Sequence, residues 1–225
     1  MILVFDLDDT LYDELTYVKS GFSAVARFVG DSFGLDSSDL LDGFLAHLAS
    51  EGRGSVFDSV LKAHGLPPSR LVDECVAVYR SHVPDLEPYG AAIRALDALA
   101  DYPLYLVTDG YPMVQQTKIL SLGLKGRFDE TFITSAFGAE YEKPALRCFE
   151  MIAALGGGSL ASLCYIGDNP AKDFVGLNRA GGVTVRVRTG QHAGIDAKPG
   201  YDAQHTIDDL DSFVPEIVKS GVLSK

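Results

Sequence analysis

Three aspartates, Asp6, Asp8 and Asp9, lie within four positions directly after the apolar run "MILVF" at the start of the chain. Like charges this close repel each other, and a bound cation is one way to offset that repulsion. Asp6 and Asp8 are two positions apart, so their side chains can point to the same side while the chain is extended. The spacing makes this pair the first candidate for chemistry in the sequence.

Further polar residues stand where other predicted strands end. The segment Thr108, Asp109 and Gly110 follows the apolar run "PLYLVT", and Lys143 immediately precedes a predicted helix. Two more acids follow the run "SLCYIG", within "GDNPAKD": Asp168 and Asp173. The carboxyl ends of strands in one parallel sheet converge on one crevice, so residues far apart in the sequence can form a single site there.

Short apolar runs alternate with helical patterns along most of the chain. The predicted strands are "MILVF", "PLYLVT", "SLCYIG" and "GVTVRV", with a weaker one in "ETFIT". Near-continuous apolar runs are typical of parallel strands that helices cover on both faces. Helical patterns are predicted at residues 89–100, 112–122, 144–155 and 170–180. The alternation predicts an α/β fold with a doubly wound, mostly parallel, Rossmann-like sheet.

One segment, residues 15–87, breaks this alternation because it shows only helical periodicity. Glycine-containing and proline-containing breaks divide it into roughly four helices. We therefore expect two domains: an α/β core formed by residues 1–14 and 88–225, and a helical-bundle cap domain, residues 15–87, inserted after the first strand. A bundle inserted there can sit over the carboxyl ends of the strands, where open α/β sheets bind ligands.

The motifs "DLDDT", "VTDG", "EKP" and "GDNPAKD", in this order, resemble the four motifs of the haloacid dehalogenase-like (HAD) hydrolases. The helical insert between the first two motifs is similar to the C1 cap of subclass I. Each motif by itself is also typical of ordinary turns, helix caps or surface lysines. All four stand in order, each after the expected strand or before the expected helix, and the resemblance covers essentially the whole chain.

The resemblance implies a role for each motif. Asp6 would be the nucleophile that forms an aspartyl-phosphate, and Asp8 the general acid and then the general base. Nearby anions would raise the pKa of Asp8 so that it meets the substrate protonated. Lys143 would neutralise charge on Asp6 and on the phosphoryl group. The resemblance further implies a Mg²⁺ site and a segment that binds the phosphoryl group. Magnesium would be held by Asp6, the Asp8 main-chain carbonyl and Asp168, with Asp173 either as a further ligand or as a partner of the ligands. The phosphoryl group would be bound by Thr108, Asp109 and Gly110.

Two details refine this interpretation. Dehalogenases of the superfamily lack an aspartate two residues after the nucleophile, so Asp8 favours phosphoryl transfer. The subclass often has Asn after the threonine, where this chain has Asp109. A carboxylate facing the substrate would repel an anion, so we expect the Asp109 side chain to turn away or to contact a sugar-like hydroxyl.

Several assignments stay open at this stage. Asp9 is expected to be solvated or to cap a helix. His192 in "TGQHAG" follows the last clear strand, and whether it lines the crevice is left open. Arg186 is expected to face solvent. The leading function is a Mg²⁺-dependent phosphatase acting on a small phosphomonoester. The alternatives are a sugar-phosphate phosphomutase and a catalytically quiet scaffold that binds a phosphorylated ligand.

Composition limits the partners. The 225 residues carry a formal net charge of −12, and 47% of them are hydrophobic, which is typical of a globular protein. This charge argues against wide nucleic-acid or anionic-membrane surfaces. There is no apolar leader and no run of membrane-spanning length, so a cytoplasmic protein is expected. The expected partner is a small phosphorylated metabolite, a nucleotide or a sugar phosphate; oligomeric state is left open.

Overall fold

The structure, a computed structural model, describes residues 1–213. Its centre is a sheet of six strands, all parallel, in the order β3-β2-β1-β4-β5-β6. The strands are β1 (Ile2–Phe5), β2 (Leu104–Thr108), β3 (Glu130–Ile133), β4 (Leu163–Gly167), β5 (Val183–Val187) and β6 (His205–Ile207). The predicted doubly wound parallel α/β sheet is confirmed, and β6 is a strand that the sequence patterns did not reveal.

The strand order reverses direction at β1. From β1 the chain continues to β2 and β3 on one side, and β4 and β5 then lie on the other side. The adjacent strands β1 and β4 pair in register from Ile2 with Leu163 to Phe5 with Ile166. Their carboxyl ends therefore flank the point where ligands bind in open α/β sheets.

Eight helices connect or extend these strands within the described residues. They are α1 (Glu14–Phe33), α2 (Ser37–Glu51), α3 (Val56–Ala63), α4 (Pro68–Ser81), α5 (Gly90–Ala98), α6 (Pro112–Ser121), α7 (Arg147–Leu155) and α8 (Val175–Arg179). The α6 helix begins at Pro112, as its sequence predicts. The N–H groups of a first helical turn have no partner within the helix, so proline, which has no N–H, is well suited to this position. None of these helices combines the length and the apolar character that a membrane crossing requires.

Two of the predicted helices begin later than expected. The pattern at 144–155 becomes helical only at Arg147, and the pattern at 170–180 only at Val175. In the second case side chains hold residues 169–173 in a turn, since the Asn169 amide oxygen accepts from the Ala171 N–H and the Asp173 carboxylate accepts from the Asn169 N–H. Such local side-chain bonds compete with helix formation.

The chain divides into two compact units: residues Met1–Glu14 together with the chain from Leu86 onward, and residues Leu15–Asp85. The predicted division at residues 14/15 and 87/88 lies close to these boundaries, and the part of the predicted core at 214–225 lies outside the described residues. In the first unit, side chains from β1, β2, β4 and α7 form a continuous apolar core. Burial of these apolar side chains stabilises the sheet that positions the strand ends.

The second unit consists of helices and has a core of its own. Its buried residues come from α1, α2, α3 and α4, and include Phe22, Phe44 and Phe57. The Phe44 ring lies 5.5 Å from each of the other two ring centroids. Such contacts between tilted aromatic rings add to the stabilisation from burial.

Candidate active site

The acids of the first and fourth motifs meet because β1 and β4 are neighbours. Asp6 directly follows β1, and its backbone N–H donates a 2.8 Å hydrogen bond to the carbonyl of Ile166 in β4. Asp168 directly follows β4. Both side chains are buried, with 5% and 3% of their residue surface exposed. Two acids that are 162 positions apart in sequence thus lie at one edge of the sheet.

Lys143 is the cation at the centre of this group. Its Nζ lies 2.7 Å from Asp6 Oδ1, 2.8 Å from Asp173 Oδ1 and 2.9 Å from the hydroxyl oxygen of Tyr165. Only 1% of the lysine side chain is exposed. A buried ammonium needs such partners, because a buried charge without them would be strongly destabilising.

Burial and charge act in opposite directions on these groups. Burial raises the pKa of Asp6 well above its usual value, Lys143 opposes this rise, and the anions Asp173 and Asp168 add to it. Burial by itself would lower the pKa of Lys143, but Asp173 and Asp6 outweigh it and raise that pKa well above its usual value. Lys143 therefore stays charged, and the ionised form of Asp6 needs further positive charge nearby.

Three carboxylates form a group that could hold a metal ion. One oxygen from each of Asp6, Asp168 and Asp173 lies within 4.8 Å of the other two. All three residues are buried, and their ligand atoms are oxygens only. Carboxylate oxygens are the ligands that Mg²⁺ prefers, so these residues fit this cation. The three residues are also those whose side chains the sequence predicted as ligands.

Asp8 lies in a different environment from the one that the sequence predicted. Its Oδ1 accepts hydrogen bonds from Tyr12 Oη at 2.6 Å and from Lys118 Nζ at 2.7 Å, while its Oδ2 accepts from Gln115 Nε2 at 2.9 Å. Burial raises the pKa of Asp8, but Lys118 and these donors outweigh burial and lower it below its usual value. In the ligand-free protein the pKa of Asp8 is therefore lowered, contrary to the rise expected from Asp6, Asp9 and a bound phosphate, because Asp8 contacts a cation and neutral donors.

The second motif lies at the end of β2. Thr108 is buried, and its hydroxyl oxygen accepts a 2.6 Å hydrogen bond from Gln115 Nε2. Gly110 has a φ of +130°, and a Cβ built there would meet the Gln115 side chain at 3.1 Å. Both its backbone angle and this neighbour explain why glycine stands at this position.

The Asp109 side chain forms an ion pair at this edge of the sheet. Its Oδ2 lies 2.6 Å from Lys172 Nζ, and its Oδ1 accepts from Thr134 Oγ1 at 2.7 Å and from the Lys143 backbone N–H at 3.1 Å. Burial opposes ionisation, but Lys143 and Lys172 outweigh it and lower the pKa of Asp109. Between the two predicted outcomes, this arrangement agrees with a carboxylate that turns away to a protein partner. The sequence analysis did not single out Lys172, whose position in "GDNPAKD" was the available signal.

His192 is a second residue whose place the sequence left open. Its Nδ1 lies 2.7 Å from Asp168 Oδ2. The contact with Asp168 raises the pKa of His192 and outweighs burial, which by itself would lower it. Burial raises the pKa of Asp168 to about 6, although the bond from His192 opposes this rise. One oxygen of the candidate metal ligand is thereby engaged by the histidine.

Arg186 holds the segment that carries His192. Its Nη2 donates to the carbonyl oxygens of His192, at 2.8 Å, and Ile195, at 2.6 Å. The expectation that Arg186 faces solvent was wrong, since it is 1% exposed. Its strand β5 lies between β4 and β6, and both faces of an interior parallel strand are covered.

Asp9 connects the first motif to the same segment. Its carboxylate accepts hydrogen bonds from the backbone N–H of Glu14, at the start of α1, and of Gln191. A Cβ on Gly190, whose φ is +62°, would lie 2.0 Å from Asp9 Cγ. Asp9 thus meets the backbone at the start of α1, in agreement with a capping role, but it is buried and not solvated.

The chain resembles curated phosphatases along nearly all of its length. It is 28% identical to the glyceraldehyde 3-phosphate phosphatase of Methanocaldococcus jannaschii over 225 residues, which cover 97% of this chain and 96% of that one. It is 31% identical to the glyceraldehyde 3-phosphate phosphatase of Methanopyrus kandleri over 221 residues, covering 94% and 91% of the two chains.

The fold is also similar to that of a solved structure. The magnesium-bound HAD hydrolase YfnB of Bacillus subtilis superimposes with a TM-score of 0.67, covering 96% of this chain and 97% of that one at 18% sequence identity. Residues 1–181 match the sequence profile of the haloacid dehalogenase-like hydrolases. Strand order, strand-end acids and sequence similarity agree, and this chain belongs to the family of haloacid dehalogenase-like hydrolases.

Proposed function

We propose that this hydrolase is a Mg²⁺-dependent phosphatase that cleaves a small phosphomonoester through an aspartyl-phosphate formed on Asp6. The observation that carries the proposal is the contact of Lys143 with Asp6 inside a buried group of three carboxylates. A surface turn or a helix cap would not need a buried lysine between two buried acids.

Asp6 would attack phosphorus. Its Oδ1 is held at 2.7 Å by Lys143, so the carboxylate orientation is set by a neighbour that is itself buried. Attack by the free oxygen forms the bond from Asp6 to phosphorus while the bond to the leaving oxygen breaks. Lys143 stays positively charged and lowers the energy of the negative charge that develops on the phosphoryl group.

Asp8 would move the protons. Held by Lys118, Tyr12 and Gln115, it is ionised in the ligand-free protein. A bound phosphate adds negative charge nearby, which favours the protonated form of Asp8. Protonated Asp8 then gives its proton to the leaving oxygen, and the resulting carboxylate accepts a proton from the water that hydrolyses the aspartyl-phosphate.

Asp6, Asp168 and Asp173 would hold the magnesium ion, with the Asp8 carbonyl as a further ligand. When bound, the ion would offset the negative charge of the phosphoryl group. The raised pKa of Asp6 supports this assignment, because burial, together with the neighbouring carboxylates, disfavours its ionised form unless a cation compensates the charge. That the related fold of YfnB is bound to magnesium adds support.

The proposed substrate is a small sugar phosphate such as a triose phosphate. The support is the similarity, over more than nine-tenths of the chain, to two proteins named glyceraldehyde 3-phosphate phosphatase. The nucleotide that the sequence analysis also allowed has no support from these relatives. Specificity would come from the cap domain, residues 15–87.

The test is phosphate release from a panel of phosphorylated metabolites, with and without Mg²⁺. The panel contains glyceraldehyde 3-phosphate, hexose phosphates, phosphoserine and a nucleoside monophosphate. We expect release that requires Mg²⁺, that is largest for small sugar phosphates and that Asp6→Asn abolishes. Activity that survives Asp6→Asn or chelation would rule the proposal out. Isomerised sugar phosphate with little free phosphate would indicate the phosphomutase alternative instead.

A further inference from the structure

One face of α6 carries two buried polar side chains that point toward the ends of β1 and β2. Gln115 and Lys118 are three positions apart, a spacing that places both on the same side of a helix. Only 1% of Gln115 and 3% of Lys118 is exposed. Lysine and glutamine are seldom buried this deeply unless they have specific partners.

Their partners are the groups at the ends of β1 and β2. Lys118 Nζ lies 2.7 Å from Asp8 Oδ1, and Gln115 Nε2 lies 2.9 Å from Asp8 Oδ2. The same Gln115 nitrogen lies 2.6 Å from Thr108 Oγ1. One turn of helix therefore contacts both oxygens of Asp8 and the hydroxyl of Thr108.

These contacts determine the direction in which the Thr108 hydroxyl donates. Gln115 Nε2 donates to Asp8 Oδ2, so the group of Gln115 that faces Asp8 is the amide NH₂. The second hydrogen of that NH₂ then points to Thr108 Oγ1, which accepts it. The hydroxyl hydrogen of Thr108 is left to donate elsewhere, because its contact with the Asp109 carbonyl is long at 3.4 Å.

We propose that Gln115 and Lys118 are positioning residues: Lys118 and Gln115 fix the Asp8 carboxylate, and Gln115 also turns the Thr108 hydroxyl so that it donates to a phosphoryl oxygen. The proposal rests on the proposed phosphatase function. Neither residue acts on the substrate directly. Through these two side chains, α6 orients both the carboxyl group of Asp8 and the hydroxyl group of Thr108.

The position of Asp8 matters most when the leaving group is poor. An aryl oxygen such as that of p-nitrophenolate leaves with little help, whereas an alkyl oxygen needs the proton that Asp8 supplies. Misplacing a catalytic group by about 1 Å costs on the order of 100-fold in rate. Loss of Lys118 should therefore slow the hydrolysis of alkyl phosphates far more than that of aryl phosphates.

The experiment compares Lys118→Met and Gln115→Met with the wild type on a series of aryl phosphates and on an alkyl phosphate. For Lys118→Met we expect kcat on the alkyl phosphate to fall about 100-fold, with a much smaller fall on p-nitrophenyl phosphate and little change in KM. For Gln115→Met we expect, in addition, a higher KM and weaker competitive inhibition by inorganic phosphate. The matched controls are Lys125→Met and Gln116→Met, since both of these residues are exposed; both should match the wild type.

A further variant separates positioning from stability. If Lys118 acts through Asp8, adding Lys118→Met to Asp8→Asn should not change the leaving-group dependence any further. The double variant also removes both members of the Lys118–Asp8 ion pair, so neither of these two charges is left without the other. An equal loss on all leaving groups, or an additional loss in the double variant, would overturn the positioning role.

Failure of this inference is distinguishable from failure of the proposed function. A wild-type protein without phosphatase activity, or one whose activity survives Asp6→Asn, contradicts the function itself. A wild-type protein whose activity depends on Asp6, but whose Lys118 and Gln115 variants behave like their controls, contradicts the inference alone.

Discussion

At the residue scale, Lys143 and Asp6 contribute to the folded state in opposite ways, although they form one ion pair. Lys143 satisfies two buried carboxylates, whereas the raised pKa of Asp6 means that its ionised form costs free energy in the folded protein. If Asp6 is the proposed nucleophile, this cost in stability is one that function requires.

We predict that Lys143→Met lowers the free energy of unfolding by about 3–5 kcal/mol, because it leaves Asp6 and Asp173 without their buried cation. Asp6→Asn should leave the stability in the absence of Mg²⁺ unchanged or higher, since Lys143 keeps its contact with Asp173. Both variants should be inactive. Denaturant unfolding at neutral pH in the presence of chelator checks this, and an Asp6→Asn protein that is clearly less stable than the wild type would refute it.

His192 is expected to contribute to metal affinity by fixing Asp168. Loss of a side chain that orients a metal ligand commonly costs 10–100-fold in affinity. We predict a decrease of about this size in Mg²⁺ affinity for His192→Ala, measured by calorimetric titration of the protein without substrate. His64→Ala is the control, because His64 contacts a backbone carbonyl in its own helix. Equal affinities for His192→Ala and the wild type would contradict the prediction.

At the scale of single elements, His82 makes the end of α4 sensitive to pH. Its Nδ1 lies 2.7 Å from the carbonyl of Tyr79, and its ring centroid lies 4.8 Å from that of Tyr17. Burial lowers the pKa of His82 below 6.5, with Arg27 adding to the effect. The folded state therefore binds fewer protons than the unfolded state in the acid range.

It follows that the stability of the helical unit Leu15–Asp85 falls as the pH drops below about 6.5, where the unfolded histidine takes up a proton. We predict that His82→Gln reduces this loss. Denaturant unfolding at pH 7.5 and pH 5.5, followed by helical circular dichroism, gives the comparison. An unchanged difference between the two pH values in His82→Gln would show that other groups are responsible.

At the scale of the whole molecule, the proposed metal ligands and the helical core belong to different units. Asp6, Asp168 and Asp173 all lie in the first unit, whereas Phe44 is fully buried in the second. A large core side chain reduced to alanine typically costs 3–5 kcal/mol.

Accordingly, Phe44→Ala should destabilise the helical unit by about 3–5 kcal/mol and leave the Mg²⁺ affinity unchanged. The matched control is Phe33→Ala, because Phe33 is 43% exposed. Thermal unfolding and calorimetric Mg²⁺ titration of each variant check the two statements separately. A decrease in metal affinity in Phe44→Ala would show that the helical core affects the metal ligands.

The sequence by itself determined five of the six strands of the sheet and the places where chemistry could occur. Apolar runs such as "MILVF" and "SLCYIG" are local signals of buried parallel strands, and their ends mark Asp6 and Asp168 without knowledge of any contact. A proline at the start of a helix, as in α6, is likewise a signal that can be read from neighbouring residues alone. The order of the four motifs was sufficient to indicate the family, which the sequence profile and the relatives confirm.

Only the tertiary structure decided which side chain contacts which. Lys118 reaches Asp8 from 110 positions away, Lys172 reaches Asp109, and His192 reaches Asp168. These pairings depend on strand register and helix orientation, which no local pattern specifies. For the same reason the lowered pKa of Asp8 in the ligand-free protein was not predicted: the sequence shows the acids on either side of Asp8 but not the lysine that the fold brings to it.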